Sequence, residues 1–248
     1  GSVVAGMGIY ISSGSGMLKW VNAAASDLKG IPGGSVSGDG KAVSADGTTI
    51  VGTGRDASGA YRAIRWTVSG GVMALDTRAG ALGSSYGYGV SADGTRIAGT
   101  YTTDQGDLRA FLWDASVPNP KFQLLPTLEV TSPTSASARG LGISGDGQVI
   151  VGQSRSDAGD EAAIWNANGA QGLGDLPGGE HFSTAYGTNH NGSVVVGRGS
   201  TAILSGGKLT KVARAFVWTP QSGMQDLAEQ LVLLDADAHE AGLLEDAD

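Results

Sequence analysis

The sequence has no cysteine and only 7 prolines in 248 residues. It is therefore neither a disulfide-stapled scaffold nor a collagen-like or proline-rich chain. No run approaches the roughly 18 apolar residues that a membrane-spanning helix needs. Basic residues are scarce: 16 Lys and Arg stand against 24 Asp and Glu, a formal charge of −8. Nucleic acid and anionic membranes reward clustered cations, so neither is expected as a partner, and direct membrane insertion of this domain is not expected. The chain opens Gly1-Ser2 rather than on Met, as a cleaved fragment does, so the lack of a signal peptide carries no weight. What is abundant is glycine, 42 residues against an ordinary usage of roughly 7%. Apolar residues at 40% suffice for a core.

The glycines and tryptophans repeat together. Trp20, Trp66, Trp113, Trp165 and Trp218 are spaced 46, 47, 52 and 53 residues apart. Each closes a short apolar run, as in Ala63-Ile64-Arg65-Trp66 and Ala215-Phe216-Val217-Trp218. Upstream of the last four lies a turn followed by an apolar strand: Ser44-Ala45-Asp46-Gly47 before Ile50-Val51-Gly52, Ser91-Ala92-Asp93-Gly94 before Ile97-Ala98-Gly99, Ser144-Gly145-Asp146-Gly147 before Ile150-Val151-Gly152, and Asn189-His190-Asn191-Gly192 before Val195-Val196-Gly197. Asp-Gly or Asn-Gly between apolar segments is a strong hairpin signal, read here as a type I′ turn. Each unit reads as four short strands. Those of the third fall near 88–92, 95–102, 109–113 and 121–125. Over Met224–Leu234 the apolar spacing changes to that of a helix.

The ends are complementary. Val3-Val4-Ala5-Gly6 matches Ile97-Ala98-Gly99 and lacks the preceding strand, while Gly242-Leu243-Leu244-Glu245-Asp246 aligns on Gly89-Val90-Ser91-Ala92-Asp93. Through the ends, Trp218 to Trp20 spans 50 residues. A last strand that completes the first sheet closes a toroid and leaves no free edge. The expected fold is an all-β, five-bladed β-propeller of four-stranded antiparallel blades, with the first blade completed by the C-terminal strand and one short helix near the C-terminus. It forms a single domain over 1–248, with units 1–41 plus 241–248, 42–87, 88–138, 139–186 and 187–240. An open solenoid and a fragment of a longer array are the rival readings.

The combination Ser-x-Asp-Gly-x-x-Ile-Val-Gly, Ala-Phe-x-Trp and Leu173-Gly174-Asp175-Leu176-Pro177-Gly178-Gly179 resembles the bacterial extracellular repeats named for a His-Ala-Phe signature. The likeness covers nearly the whole chain. Arg62, Arg109, Glu161 and Arg214 stand where that signature often has His. The resemblance implies a cell-surface protein or autotransporter passenger and an extracellular or bacterial-surface location, and it carries over no catalytic residues.

The repeated residues have structural explanations. One Trp per unit suits packing between sheets better than sugar stacking. Asp46, Asp93, Asp146 and Asn191 supply one side chain per turn, too few for a calcium loop. The arginine series could ring an anion, or pair with local acids. Gly83-Ser84-Ser85-Tyr86-Gly87 and Gly140-Leu141-Gly142-Ile143-Ser144-Gly145 match loose enzyme patterns without the helix that either requires. No metal or cofactor is expected. Irregular positions are the candidate ligand contacts: Tyr61, Tyr86, Tyr101, Glu180, His181 and Phe182. The expected function is a noncatalytic, monomeric binding or adhesion module for glycan or protein, acting through propeller loops or the central channel. The alternatives are a carbohydrate-active hydrolase using carboxylates from different blades and a structural spacer.

Overall fold

Asp46, Asp93 and Asp146 show how this sequence organises itself locally. In each turn the serine hydroxyl donates to the aspartate carboxylate (Ser44 2.7 Å, Ser91 2.5 Å, Ser144 2.5 Å) and accepts a backbone N–H from the start of the next strand. The Gly47, Gly94 and Gly147 amides donate to the carbonyls of Ser44, Ser91 and Ser144. Only the glycine of each turn has positive φ, +72° to +74°. These are therefore type I turns followed by a left-handed glycine, not the expected type I′ turns, because the serine and aspartate side chains stabilise a right-handed centre. The fourth turn substitutes Asn189, whose Oδ1 accepts from the Val194 amide.

The computed structural model describes residues 3–10, 14–75, 83–131 and 136–240. Strands follow the repeat, each unit after the first opening at its first strand, one to nine residues upstream of the bounds expected from the sequence: β1 (Val3–Tyr10), β2 (Gly14–Val21) and β3 (Ala24–Asp27); β4 (Ser35–Val43), β5 (Thr49–Arg55), β6 (Tyr61–Thr67) and β7 (Gly71–Ala74); β8 (Ser85–Val90), β9 (Arg96–Thr102), β10 (Leu108–Asp114) and β11 (Gln123–Leu124); β12 (Ala138–Ile143), β13 (Ile150–Arg155), β14 (Asp160–Asn166) and β15 (Gly169–Gly172); β16 (Gly178–Thr188), β17 (Val195–Ser205), β18 (Lys208–Thr219) and β19 (Gly223–Asp226). Within each unit the strands pair antiparallel in chain order. The N-terminal unit shows three strands among the described residues. The C-terminal segment expected to complete it, 241–248, lies outside them. The single helix among the described residues, α1 (Leu227–Glu240), begins later than its apolar spacing suggests. Met224 belongs to β19, paired with Trp218, because 223–226 occupies the outer-strand position of its unit. The Asp226 carboxylate then caps the helix by accepting the Ala228 amide.

A β-bulge recurs in the first strand of each four-stranded unit. Lys41, Tyr88, Leu141 and Tyr186 are the extra residues, opposite the pairs Gly52/Val51, Gly99/Ala98, Gly152/Val151 and Gly197/Val196. The bulge explains the glycine of Ile-Val-Gly. A Cβ at Gly52, Gly99, Gly152 or Gly197 would lie 1.8–2.1 Å from a carbonyl oxygen of the paired first strand. First strands also approach one another across units: a Cβ on Gly89 would lie 3.0 Å from the Ile143 nitrogen, and one on Gly142 2.9 Å from the Tyr186 oxygen.

Three further devices join one unit to the next. Turn backbones link in series: the Ala45 amide to the Ala92 carbonyl at 3.0 Å, Ala92 to Gly145 at 2.8 Å, and Asp146 to His190 at 2.9 Å. In the first two units the residue before the Trp lies over the next unit's Trp: the Lys19 ammonium is 4.4 Å from the Trp66 ring centroid, and the Arg65 guanidinium 6.0 Å from that of Trp113. Leu112 and Ile164, at the same position, share core clusters with Trp165 and Trp218. Two of the arginines four residues before a Trp reach the segment that leads into the following unit. Arg62 donates to the Asp56 carboxylate at 2.7 Å and to the Gly83 carbonyl at 2.8 Å, and Arg109 to the Ala136 carbonyl at 2.7 Å. Arg214 lies 3.9 Å from Asp226. The arginine series is thus engaged with local groups.

Two predictions follow from this packing. Gly99→Ala drives a methyl into the Tyr86 carbonyl and the Phe111 ring and is expected to cost about 3 kcal/mol in urea unfolding. Gly187→Ala meets nothing closer than Val196 at 3.6 Å and should change stability by less than about 1 kcal/mol. The second concerns acid. Hydrogen bonds from Ser58, then the Arg62 guanidinium and the Ala60 amide, lower the Asp56 pKa to about 2. A carboxylate depressed in the folded state contributes stability above its unfolded value near 4, and that contribution is lost as pH falls toward 2. The melting temperature should fall across that window, and less steeply in Asp56→Asn.

Candidate functional site

The six candidate residues separate into two surfaces and one core position. Tyr61 opens β6, and Tyr86 lies on β8 of the next unit, with ring centroids 5.5 Å apart. Tyr88, the bulge residue two positions along β8, stacks on Tyr86 at 6.4 Å. The Arg55 guanidinium lies 4.2 Å from the Tyr61 ring centroid and hydrogen-bonds the Tyr61 hydroxyl. The result is a row of three tyrosines bridging two units, capped at one end by a cation.

These residues line a cavity of about 520 Å³, together with Asp39 and Lys41 of β4, Thr53 of β5 and Met7 of β1. That volume falls within the roughly 300–1,000 Å³ typical of small-ligand pockets. The Lys41 ammonium lies 2.8 Å from the Asp39 carboxylate, which raises the lysine's pKa chiefly through that hydrogen bond. Burial raises the Tyr88 phenol, so it stays neutral at physiological pH. Thr53 is buried directly opposite Asp39 in the β4–β5 ladder. Thr53 Oγ1 and Asp39 Oδ1 are both inaccessible to solvent and have no hydrogen-bond partner among the described residues.

Tyr101 does not reach this pocket. It is 6% exposed and packs on Phe122 at 6.2 Å, beside Phe111, in a core cluster. Its place in β9 turns the ring inward, so it is a core aromatic. Ser85, from the serine-hydrolase-like string, is fully buried within β8, and its hydroxyl accepts the Ala63 amide.

Glu180, His181 and Phe182 lie on β16 in the fifth unit. Glu180 and Phe182 line a shallower hollow of about 240 Å³ with Arg198 and Lys211. Glu180 pairs with Lys211 at 2.6 Å, and Arg198 covers the Phe182 ring at 5.3 Å. His181 Nε2 lies 3.3 Å from the Glu161 carboxylate, whose other oxygen accepts the Gly174 amide. Every polar member of this second group thus has a neighbour, and none carries an orphaned buried atom.

Sequence reasoning named Tyr61 and Tyr86 but missed Tyr88, Asp39, Lys41, Thr53 and Arg55. The missing signal is the bulge. Aligned units place Lys41, Tyr88, Leu141 and Tyr186 at one position, immediately before the small or Thr-flanked segment that ends the first strand. Their chemical diversity marks a position that the repeat does not constrain.

No protein-family model matches the chain, and no curated protein matches it in sequence. Solved structures do. TolB from Acinetobacter baumannii superposes with a TM-score of 0.57 and 13% identity, over 91% of this chain and 52% of that one. A putative TolB from Agrobacterium tumefaciens gives 0.55 and 14% identity, over 85% and 73%. This chain therefore spans about half the length of the first and three-quarters of the second. The shared feature is the fold, which is a β-propeller. Among the described residues, no helix is long and apolar enough to cross a membrane.

Burial separates the tyrosines by role. Tyr101→Ala is expected to destabilise the protein by about 3–5 kcal/mol in urea unfolding. Tyr61, 38% exposed, should tolerate alanine at a cost under about 1 kcal/mol.

Proposed function

We propose that the chain is a noncatalytic extracellular or cell-envelope binding module. In this reading the five strand units are the blades of a propeller ring, and a glycan or protein ligand is taken in the tyrosine-lined pocket between the second and third. The observation that carries it is the contrast between two sets of residues. The repeated side chains are engaged inside the scaffold: the turn aspartates by their own serines, the tryptophans between units, the arginines by neighbouring loops. Tyr61, Tyr86, Asp39 and Lys41 lie off the repeat and instead gather around one cavity with Tyr88 and Arg55. A scaffold has no use for such a cluster, whereas a ligand does.

The resemblance of the repeats to those with a His-Ala-Phe signature supports an extracellular or surface location. Hydrolysis by paired carboxylates is the weaker reading, because among the described residues Asp39 is the one carboxylate in the pocket lining, and it is paired with Lys41.

The test is retention on immobilised bacterial polysaccharides and on immobilised envelope proteins. The native chain should be held saturably by one of these supports, and Tyr61→Ala/Tyr86→Ala should weaken retention at least tenfold. The eluted ligand should be chemically intact. Release of cleaved product, or no retention on either support, would overturn the proposal.

A further inference from the structure

The pocket holds a charge that the described chain does not neutralise. Arg55 and Arg155 occupy one repeat position, three residues after the glycine of Ile50-Val51-Gly52 and of Ile150-Val151-Gly152. In the fourth unit the residue opposite the arginine in the ladder is Asp160, and the two pair at 3.1 Å. In the second unit that place belongs to Tyr61. The Arg55 guanidinium therefore meets uncharged groups, the Tyr61 hydroxyl and ring and the Gly59 carbonyl at 3.2 Å. Among the described residues no carboxylate pairs with it, and neighbouring Asp56 is taken by Arg62 at 2.7 Å. A guanidinium has more N–H donors than these acceptors use, in a fork that fits a carboxylate.

The rest of the pocket agrees in sign and shape. Asp39 is answered by Lys41 at 2.8 Å, so Arg55 leaves the described lining with a net positive charge. Arg139 of β12 is exposed and stands near Tyr88, where it and Lys41 oppose the rise in the phenol's pKa that burial causes. On a chain of formal charge −8 such a positive patch is local, and it draws in an anionic group. The groups open to a ligand are Arg55, Tyr61, Tyr86 and Tyr88, each at least partly exposed. Thr53 Oγ1 and Asp39 Oδ1 are closed to solvent and take no part. The guanidinium lies 4.2 Å from the Tyr61 centroid, and the Tyr86 centroid lies 5.5 Å from that of Tyr61. Cation and aromatic surface thus sit side by side.

Resting on the binding-module reading, we infer that this pocket is a subsite for an acidic saccharide, a uronate ring lying against Tyr61 and Tyr86 with its carboxylate on the Arg55 guanidinium. A hexuronate carries its carboxylate directly on the pyranose ring, so one residue spans both the cation and the aromatic surface beside it. The tyrosines supply apolar faces with polar rims, against which the C–H face of a sugar packs. Tyr88, the next ring of the row, has Lys41 and Arg139 near it, so a second acidic residue also meets cations. An acidic peptide side chain holds its carboxylate on a flexible stem with no ring beside it, and ordering that stem costs affinity.

The test is a titration of the full chain, with labelled tyrosine rings followed by NMR. The probes are gluco-, galacto- and manno-configured uronic tetrasaccharides, the same saccharides with their carboxyls reduced to alcohols, and a glutamate-containing peptide of equal charge. At least one uronic probe should shift Tyr61 and Tyr86 saturably, and its carboxyl-reduced form should bind roughly tenfold or more weakly. Its affinity should fall severalfold between about 50 and 500 mM salt, because an exposed ion pair is screened. Arg55→Met should weaken binding roughly tenfold, whereas Arg155→Met, which breaks the pair with Asp160, should leave it unchanged. Tyr61→Asp supplies the acid found at the equivalent place of the fourth unit. It should bind uronate roughly tenfold more weakly than Tyr61→Asn, which removes the ring without adding a charge. Equal binding by the Asp and Asn variants would overturn the role of Arg55, however Arg55→Met folds. Equal binding of a uronic probe and its reduced form, or an affinity indifferent to salt, would overturn the acidic class and leave the binding module standing. Peptide binding at these tyrosines without saccharide binding would do the same. No binding by any probe would overturn the inference, and retention on the immobilised supports would then decide the wider reading separately.

Discussion

The structure depends on the contact between successive sheets. A four-stranded antiparallel unit of about fifty residues cannot bury both faces of its own sheet, so its core exists only where the next unit lies against it. The core clusters show this directly. Val51 and Ala63 of the second unit pack with Ile97, Phe111 and Trp113 of the third, and Ala98 and Ala110 of the third pack with Ile150, Ala163 and Trp165 of the fourth. The backbone link from turn to turn fixes the azimuth at which each sheet meets its neighbour. The Gly-bulge pairing lets the first strand approach closely enough for that meeting to occur. Removing any one of these leaves apolar faces without a partner.

The same contact accounts for what the sequence disclosed. Residues that make it must recur, so the fifty-residue period, the tryptophans and the turn aspartates were legible. Arg62 and Arg109 were legible as a repeated position but not as straps, because Gly83 and Ala136 accept through backbone carbonyls and carbonyls leave no trace in side-chain identity. Turn type was misjudged for a related reason. Asp-Gly alone suits a type I′ turn, but the serine two residues earlier donates to the aspartate and holds the centre right-handed. A true left-handed pair occurs instead at Asn22-Ala23, φ +49° and +65°, where no such serine precedes it.

The site was legible only in part because its members come from different strands and units. Tyr61 and Tyr86 stood out as aromatics off the repeat. Tyr101 stood out equally, yet it lies in the core. Position in the strand decides between them: β9 is the second strand of its unit, buried along most of its length, whereas Tyr61 begins β6 and Tyr86 faces out from β8. Thr53 and Asp39 carry no sequence signal at all. Their significance arises from lying opposite one another in a ladder whose register is fixed by a bulge two residues away.

That bulge ties scaffold to site. An extra residue in a strand has no partner in the ladder and is turned away from the packing that its neighbours share. Repeating the bulge in every four-stranded unit therefore presents one unconstrained side chain per unit at equivalent places on the first strands, which touch one another across the assembly. The scaffold is indifferent to whether that residue is Lys41, Tyr88, Leu141 or Tyr186. Where two successive choices are Lys and Tyr, and Tyr61 and Arg55 lie alongside, a polar aromatic pocket results. Binding chemistry can thus change at the bulge without disturbing the glycine opposite it, which holds the sheets together.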